Sequence, residues 1–386
     1  MKMITATIRY NDNYTDIDFP CSDFYLYSKL MELHADDPNN TALYVSEITL
    51  PKELFFLKDH FVNPDELNYL AKRMEGFFGD EEIRFYEALK LEHFTELKDF
   101  INLSFNLDKY TLIRDISSMG KVGKEYLLNR DGCIPAYDED DPQYAVIGQE
   151  LLQSGTGIFT EHGLLFPDRS RPFEEPYNGK TFPLYLYDPC LLVVEIEYEG
   201  NTEFVYLPDD DIAIDNKPLK RIGAESPDGC SIILLDFSAD HKKMFDVFKS
   251  VLGKEGIYEV NHLAQAVNEF IGIPNLQKLS AVMEYADVSD VKSIVALAKN
   301  LDVFGYAKNI EDNEDLGRWW IENHDELQLS MELEDYFDYD QYGEKIHWEY
   351  SGEFLADGGY VFMKDGYSLE DILDTEEDES MTMGGM

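Results

Sequence analysis

The chain has 386 residues, of which 78 are acidic and 32 are basic, so its formal net charge at pH 7 is −46. Hydrophobic residues make up 44% and aromatic residues 13% of the sequence, which excludes a disordered acidic chain and predicts a folded protein. A small domain needs a net charge of only about 2 to 8 for solubility. The negative charge of this chain is far larger than that, and three interpretations could explain it: a halophilic surface, a metal buffer, or a surface matched to a strongly basic partner.

The negative charge is unevenly distributed along the chain. Residues 1–183 hold 33 acidic and 18 basic side chains, whereas residues 184–386 hold 45 acidic and 14 basic ones. Halophilic adaptation would coat the surface more evenly. The asymmetry therefore favours a directed interaction with a basic partner.

The first clear helix signal begins at Asn63, a residue type that caps helix N-termini. Pro64 follows at the first helical position, and Glu66 occupies the capping-box position. Apolar residues then recur at helical spacing from Leu67 to Met74. Further on, residues 120–125 lack the glycine spacing and the hydroxyl residue of a phosphate loop, so they predict a plain loop and a helix start.

Four prolines and an Asn-Gly pair interrupt residues 167–183, and we interpret 168–183 as a Pro-rich linker. Alternating apolar residues predict strands at 192–196, 204–206 and 231–236. Apolar residues at helical spacing predict a helix at 291–298. Strands followed by runs of helices indicate an α+β fold class, an elongated array of small mixed domains.

The sequence contains few signs of catalysis or of ligand binding. The acidic run 209–211 resembles the start of a calcium loop, but Ile214 stands where glycine is required and Lys220 where glutamate is required, which excludes an EF-hand. The four cysteines form no CxxC pair, and the eight histidines form no HExxH motif. The sequence Glu161-His162-Gly163 is typical of a turn. We therefore expect no catalytic residues, no metal and no cofactor, and a protein that is not an enzyme.

No apolar N-terminal segment and no apolar run of 18 residues occurs in the sequence. These absences predict a soluble protein of the bacterial cytoplasm.

One pattern occurs twice in the chain at a nearly constant separation. Residues 106–110 (NLDKY) recur as 300–304 (NLDVF), and Gly123 to Asn129 recur as Gly317 to Asn323, both at a shift of 194. Residues 66–71 match 259–264 at a shift of 193. We therefore predict a first unit at 1–167, the linker at 168–183, a second unit at 184–364 and a flexible acidic tail at 365–386.

The strongest acidic run lies in the second unit, where residues 311–357 contain 16 acidic side chains against Arg318 and Lys345. Carboxylates held on folded helices can imitate DNA phosphates, which are spaced at about one charge per 1.7 Å of duplex axis. The carboxylates predicted to bind the partner are Asp209, Asp210, Asp211, Glu311, Asp312, Glu314, Asp315, Glu322, Asp325, Glu326, Glu332, Glu334, Asp335, Asp338 and Asp340.

The segment 333–346 (LEDYFDYDQYGEKI) resembles the pattern L-x-x-Y-[IF]-D-Y-x-x-Y-G-R-D-L of the ArdA antirestriction family. Residues 154–163 (SGTGIFTEHG) resemble the closing segment of that family, and residues 66–71 (ELNYLA) resemble its E-L-N-x-L-A helix. Because these motifs fall in both units, the chain resembles two ArdA-type proteins fused in tandem.

The resemblance implies an elongated fold that mimics bent B-DNA and occupies the DNA-binding groove of type I restriction-modification enzymes. It also implies carriage on a mobile genetic element and a homodimer. Glu344-Lys345 replaces the Arg-Asp of the family, so an intrachain pseudo-dimer is an alternative. The motif residues that could form an interface or pack in a core are Tyr336, Tyr339, Tyr342 and Gly343.

Two other functions fit the same sequence. The chain could mimic DNA towards another DNA-binding protein, such as a CRISPR nuclease or a nucleoid protein. Alternatively, it could be an acidic scaffold or a cation-binding protein, which calcium-dependent stabilisation would reveal.

Overall fold

The computed structural model describes residues 2–35, 42–134, 141–209, 217–237, 241–271, 275–324, 329–334, 336–356, 358–364 and 366–374. This part of the chain is a mixture of helices and several small sheets, which confirms the predicted α+β class. None of the helices in these ranges combines the length and the apolar character that crossing a membrane requires.

The chain forms two compact units. Unit 1 contains Met1–Asp188 together with Glu199–Glu203 and Lys220–Gly223. Unit 2 contains Pro189–Tyr198, Phe204–Leu219 and Ala224–Met386.

Unit 1 begins with a sheet of four strands in the order β2-β1-β3-β4. The strands are β1 (Ile4–Tyr10), β2 (Asn13–Phe19), β3 (Leu43–Leu50) and β4 (Phe61–Val62). Alternate residues of β1, namely Ile4, Ala6 and Ile8, are buried, as expected for a strand with one face on a core. Helix α1 (Asp23–Glu32) follows β2 and buries Leu26 and Leu30 in the same core.

Three helices complete the core of unit 1: α2 (Pro64–Glu75), α3 (Glu81–Glu92) and α4 (Leu97–Leu103). The N-terminus of α2 is capped as predicted, because the Asn63 side chain accepts a hydrogen bond from Asp65 N at 3.0 Å. Glu66 accepts in return from the backbone of Asn63, which completes the capping box. Local sequence was sufficient to predict this helix.

A second, smaller sheet of unit 1 has the order β5-β7-β6. Its strands are β5 (Tyr110–Ile113), β6 (Ile158–Thr160) and β7 (Gly163–Pro167). Helices α5 (Met119–Asp131) and α6 (Pro142–Ser154) lie between β5 and β6 in the chain and pack on each other.

The Pro-rich residues 168–183, predicted to be a linker, pack against the rest of unit 1. The Asn102 side chain binds both backbone polar groups of Tyr177: it donates to Tyr177 O at 3.0 Å and accepts from Tyr177 N at 2.8 Å. Asn106 holds Glu174 in the same way, at 2.9 and 3.0 Å. Tyr177 is only 1% exposed. We name residues 168–183 the docked segment.

Replacing Asn102 by Ala is expected to release the docked segment. The change leaves a buried peptide N–H and C=O without partners, which costs roughly 2 to 4 kcal/mol. We expect faster tryptic cleavage at Arg169 and Lys180, measured by limited proteolysis of the full chain. Asn129→Ala is the matched control, since Asn129 is exposed and, within the described residues, its side chain donates only to Glu125 O in its own helix. Equal cleavage rates in both variants would show that these bonds do not hold the segment.

The next sheet in the chain has the order β10-β8-β9, formed by β8 (Leu192–Tyr198), β9 (Asn201–Leu207) and β10 (Ser231–Phe237). It belongs to unit 2 except for residues 201–203 of β9, which are part of unit 1. The predicted strands at 192–196, 204–206 and 231–236 lie within these three. The helices that follow β9 and β10 are α7 (Lys217–Ile222), α8 (Lys242–Glu255), α9 (Ile257–Ala266), α10 (Leu276–Ala286) and α11 (Val291–Lys299). Helix α11 contains the predicted helix at 291–298.

The last sheet of unit 2 has the order β11-β13-β12, with β11 (Phe304–Lys308), β12 (Glu353–Phe354) and β13 (Gly359–Met363). Helices α12 (Asn313–Asn323), α13 (Met331–Glu334) and α14 (Tyr339–Tyr350) lie between β11 and β12 in the chain. Within the predicted tail at 365–386, residues 369–374 are helical and Ile372 is buried.

The two units contain the same local arrangements. In each unit the first sheet places its first strand between the second and the third, and the later sheet places its last strand in the middle. Asn68 accepts from Cys21 N at 2.9 Å and donates to Cys21 O at 3.0 Å. Asn261 makes the same pair of bonds with Asp209, at 2.8 and 2.7 Å.

Candidate partner-binding surface

Helices α12 and α14 of unit 2 are in backbone contact. A Cβ atom on Gly317 would lie 2.1 Å from the carbonyl oxygen of Tyr339, and one on Gly343 would lie 1.8 Å from that of Asn313. No side chain fits at such distances, so glycine is required at both positions. We name α12 and α14 the acidic helix pair, because together they carry six acidic and two basic side chains.

The inner face of the acidic helix pair is a small aromatic core. Leu316, Trp320 and Ile346 are buried there together with Tyr360 and Phe362 of β13. The Trp320 and Phe362 rings lie 5.1 Å apart, and burial raises the pKa of Tyr360 to about 12. Because this face is fixed in the core, the charged residues of both helices are directed outward.

Three of the predicted carboxylates also stabilise the helix N-termini. Asp312 accepts from Asp315 N at 3.0 Å, and Asp315 accepts from Glu311 N at 3.1 Å. Asp338 caps α14 by accepting from Gln341 N, also at 3.0 Å. A negative charge at these positions is favourable for the helix itself. These carboxylates therefore need no binding partner to explain their presence.

The two basic side chains of the acidic helix pair each have a carboxylate neighbour on their own helix. Arg318 binds Glu314 at 2.6 Å and lies over the Tyr339 ring at 4.1 Å, and the Glu314 carboxylate raises the pKa of the Arg318 guanidinium. Lys345 lies 3.9 Å from Glu349. Both pairs are exposed, so each contributes little stability.

Further exposed carboxylates of this region have no ion-pair partner within the described part of the chain. They are Glu311, Glu322, Glu334, Asp340 and Glu344. Glu344 and Glu349 were not predicted as site residues. The signal that could have identified them is their helical spacing after Asp340.

The other predicted carboxylates are not all described. Asp209 is half-buried, and its backbone is held by Asn261. The remaining positions lie outside the described residues, and for Glu332 this applies to the side chain alone. They are Asp210, Asp211, Asp325, Glu326, Glu332 and Asp335.

The tyrosines and the glycine of the family motif occupy different environments. Tyr336 is 86% exposed. Tyr339 and Tyr342 are half-buried, and their rings lie 5.1 and 5.5 Å from the Phe337 ring. Gly343 is buried between the two helices. Packing within unit 2 therefore explains three of these four residues, and Tyr336 alone is fully available to a partner.

Residues 234–362 match the family model of the antirestriction protein ArdA. The match covers a third of the chain, from β10 to β13, and includes the whole acidic helix pair. The ArdA family is not an enzyme family. No curated protein matches the chain.

Unit 1 contains a helix pair with a similar glycine contact but a different charge. Helices α5 and α6 meet through Gly123 and Gly148, where a Cβ atom would lie 1.9 and 2.1 Å from a backbone oxygen. Those two helices carry three acidic and three basic side chains. The acidic helix pair carries six acidic and two basic ones. The same helix contact thus supports a neutral surface in unit 1 and an acidic one in unit 2.

Proposed function

We propose that the chain is an antirestriction protein that mimics duplex DNA and occupies the DNA-binding groove of a type I restriction-modification enzyme. The observation that carries the proposal is the acidic helix pair inside the ArdA-like segment. Five exposed carboxylates on and beside this helix pair, those of Glu311, Glu322, Glu334, Asp340 and Glu344, have no ion-pair partner among the described residues. Their negative charge is therefore available to a basic groove.

Proteins bind DNA chiefly by neutralising phosphates with Lys and Arg, which releases condensed counterions. Carboxylates fixed on helices that share a core can take the place of phosphates without the ordering cost of a flexible acidic tail. Binding energy should then be spread over many weak contacts, since an exposed charge pair contributes little by itself. The net charge of −46 equals that of about 80 Å of duplex.

The proposal also treats the chain as two ArdA-type units in tandem. It is supported by the repeated strand orders, by the paired asparagines Asn68 and Asn261, and by the glycine contacts at Gly123 and Gly317. The charge difference between the two helix pairs supports a role in inhibition for unit 2. In this view the protein acts in the cytoplasm of a bacterial host, is encoded on a mobile element, and works as a homodimer or as an intrachain pseudo-dimer.

Competition with DNA tests the proposal directly. A fluorescent duplex is bound to a purified type I methyltransferase, and the full-length protein is added at increasing salt. We expect stoichiometric displacement of the duplex at low salt and progressive loss of competition as salt rises. Polyglutamate of similar total charge is the control for nonspecific polyanion effects. A duplex that stays bound at low salt would contradict the proposal, and equal displacement from a nucleoid protein or a CRISPR nuclease would contradict type I specificity.

A further inference from the structure

Among the described residues, one group of three side chains has the composition of a transition-metal site. It consists of Glu87, Glu161 and His162, whose potential ligand atoms all lie within 4.8 Å of one another. The Glu161 and His162 side chains lie 3.8 Å apart, measured from Oε1 to Nε2. We propose that these three residues bind one Zn²⁺ ion in unit 1.

The fold fixes the position of each ligand. Glu161 and His162 form the turn between β6 and β7, where Thr160 Oγ1 accepts from His162 N at 3.1 Å. Gly163 follows with a φ of +137°, and a Cβ atom there would lie 2.1 Å from the carbonyl oxygen of Ile113. The turn is therefore held tightly against β5. Helix α3, which carries Glu87, packs against β5 and β7.

Glu87 is the least expected member of the group, because it is only 4% exposed. Burial of a carboxylate is costly unless positive charge compensates it. Lys90 Nζ supplies part of that charge at 2.9 Å from Glu87 Oε1, but the Lys90 side chain is itself mostly exposed. A carboxylate has two oxygen atoms, so Glu87 can bind Lys90 and a metal ion together.

The ligand set determines the class of metal. One imidazole and two carboxylates suit a borderline ion such as Zn²⁺ better than Ca²⁺ or Mg²⁺, which prefer oxygen ligands alone. Tetrahedral Zn²⁺ places its ligand atoms roughly 3.4 Å apart. Rotation of the exposed Glu161 and His162 side chains can close the present distances to that value. Three protein ligands leave the fourth position to water.

Unit 2 lacks the same ligands. Asp357 and Gly358 precede Gly359 in the sequence, where Glu161 and His162 precede Gly163. Helices α3 and α10 both end in a left-handed residue, His93 and Asp287, and these two residues define equivalent positions in the two helices. In that register the position of Glu87 in α3 is occupied in α10 by the buried Ala281. We therefore expect one Zn²⁺ ion per chain, bound to unit 1 alone.

Calorimetric titration tests the site. The full-length protein is first treated with EDTA and then titrated with ZnCl₂ in excess Mg²⁺, which occupies diffuse acidic positions. We expect one equivalent of Zn²⁺ to bind and to raise the thermal unfolding temperature. His162→Ala and Glu87→Gln should each weaken this binding at least tenfold. Circular dichroism of each variant verifies that it is folded, and His162 lies in an exposed turn that tolerates the change.

His262→Ala is the matched control. His262 Nδ1 lies 3.8 Å from Glu259 Oε2 in unit 2, the separation found between His162 and Glu161. Among the described residues no third metal-ligating side chain joins that pair. Zn²⁺ binding should be unchanged in this variant. Binding of several equivalents that Mg²⁺ abolishes, or binding unaffected by His162→Ala, would overturn the proposal.

Discussion

Neutralising five exposed carboxylates of unit 2 is expected to weaken inhibition of a type I enzyme roughly ten- to a hundredfold. The substitutions are Glu311→Gln, Glu322→Gln, Glu334→Gln, Asp340→Asn and Glu344→Gln. None of these side chains caps a helix or has an ion-pair partner in the described part of the chain, so the fold should be retained. Displacement of duplex DNA from the methyltransferase measures the loss.

A second variant with the same change in charge separates position from total charge. It carries Asp12→Asn, Glu47→Gln, Glu82→Gln, Glu96→Gln and Glu150→Gln, all at exposed positions of unit 1. We expect this variant to inhibit within about threefold of the parent protein, because its changes lie outside the ArdA-like segment. Equal losses in both variants would mean that net charge alone governs inhibition.

Single substitutions should have small effects by comparison. Asp338→Asn removes one charge but retains the helix cap, since asparagine caps as well as aspartate does. A change in affinity below about twofold is expected. A complete loss of inhibition from this one substitution, with folding intact, would indicate a discrete pocket instead of a distributed surface.

Gly343→Ala is expected to destabilise unit 2 by roughly 3 kcal/mol. The new Cβ would meet the carbonyl oxygen of Asn313 at 1.8 Å, and only a movement of the helix backbones can relieve that contact. All three tryptophans of the chain, Trp319, Trp320 and Trp348, lie on the acidic helix pair. Tryptophan fluorescence during urea unfolding therefore reports on this element alone.

Gly253→Ala is the control for the general effect of replacing a helical glycine. Gly253 lies in α8 of the same unit, and nothing lies within 4 Å of a Cβ atom built there. Alanine is the better helix former, so stability should stay equal or rise by about 0.5 to 1 kcal/mol. If Gly343→Ala unfolds at the urea concentration of the parent protein, the helix contact is not as tight as the structure indicates.

Sequence alone predicted the features that depend on local signals. The capped helix at Asn63 follows from residues within one turn, and the strands at 192–196 and 231–236 follow from alternation of apolar residues. The acidic character of the helix pair was also predictable, because surface charge is visible in composition. The hydrogen bonds of the structure were needed to identify the carboxylates that cap a helix, such as Asp312.

Features that depend on distant partners were not predictable. Residues 168–183 have the composition of a linker, but Asn102 and Asn106 hold them from about 70 residues away in the chain. The proximity of Glu87 to His162 likewise requires α3 to pack against β7. A turn motif gives no sign of a buried carboxylate on a helix that is remote in sequence.

The glycine contact between the helices has a consequence for the charge of the surface. The spacing of α12 and α14 is set by main-chain atoms, so mutations at outward-facing positions can alter the electrostatic pattern without moving the scaffold. The neutral pair α5 and α6 and the acidic pair α12 and α14 already illustrate two such patterns on one type of framework. Surface charge and helix packing are therefore separable in this protein, since the outward-facing charges can change as long as Gly317 and Gly343 are kept.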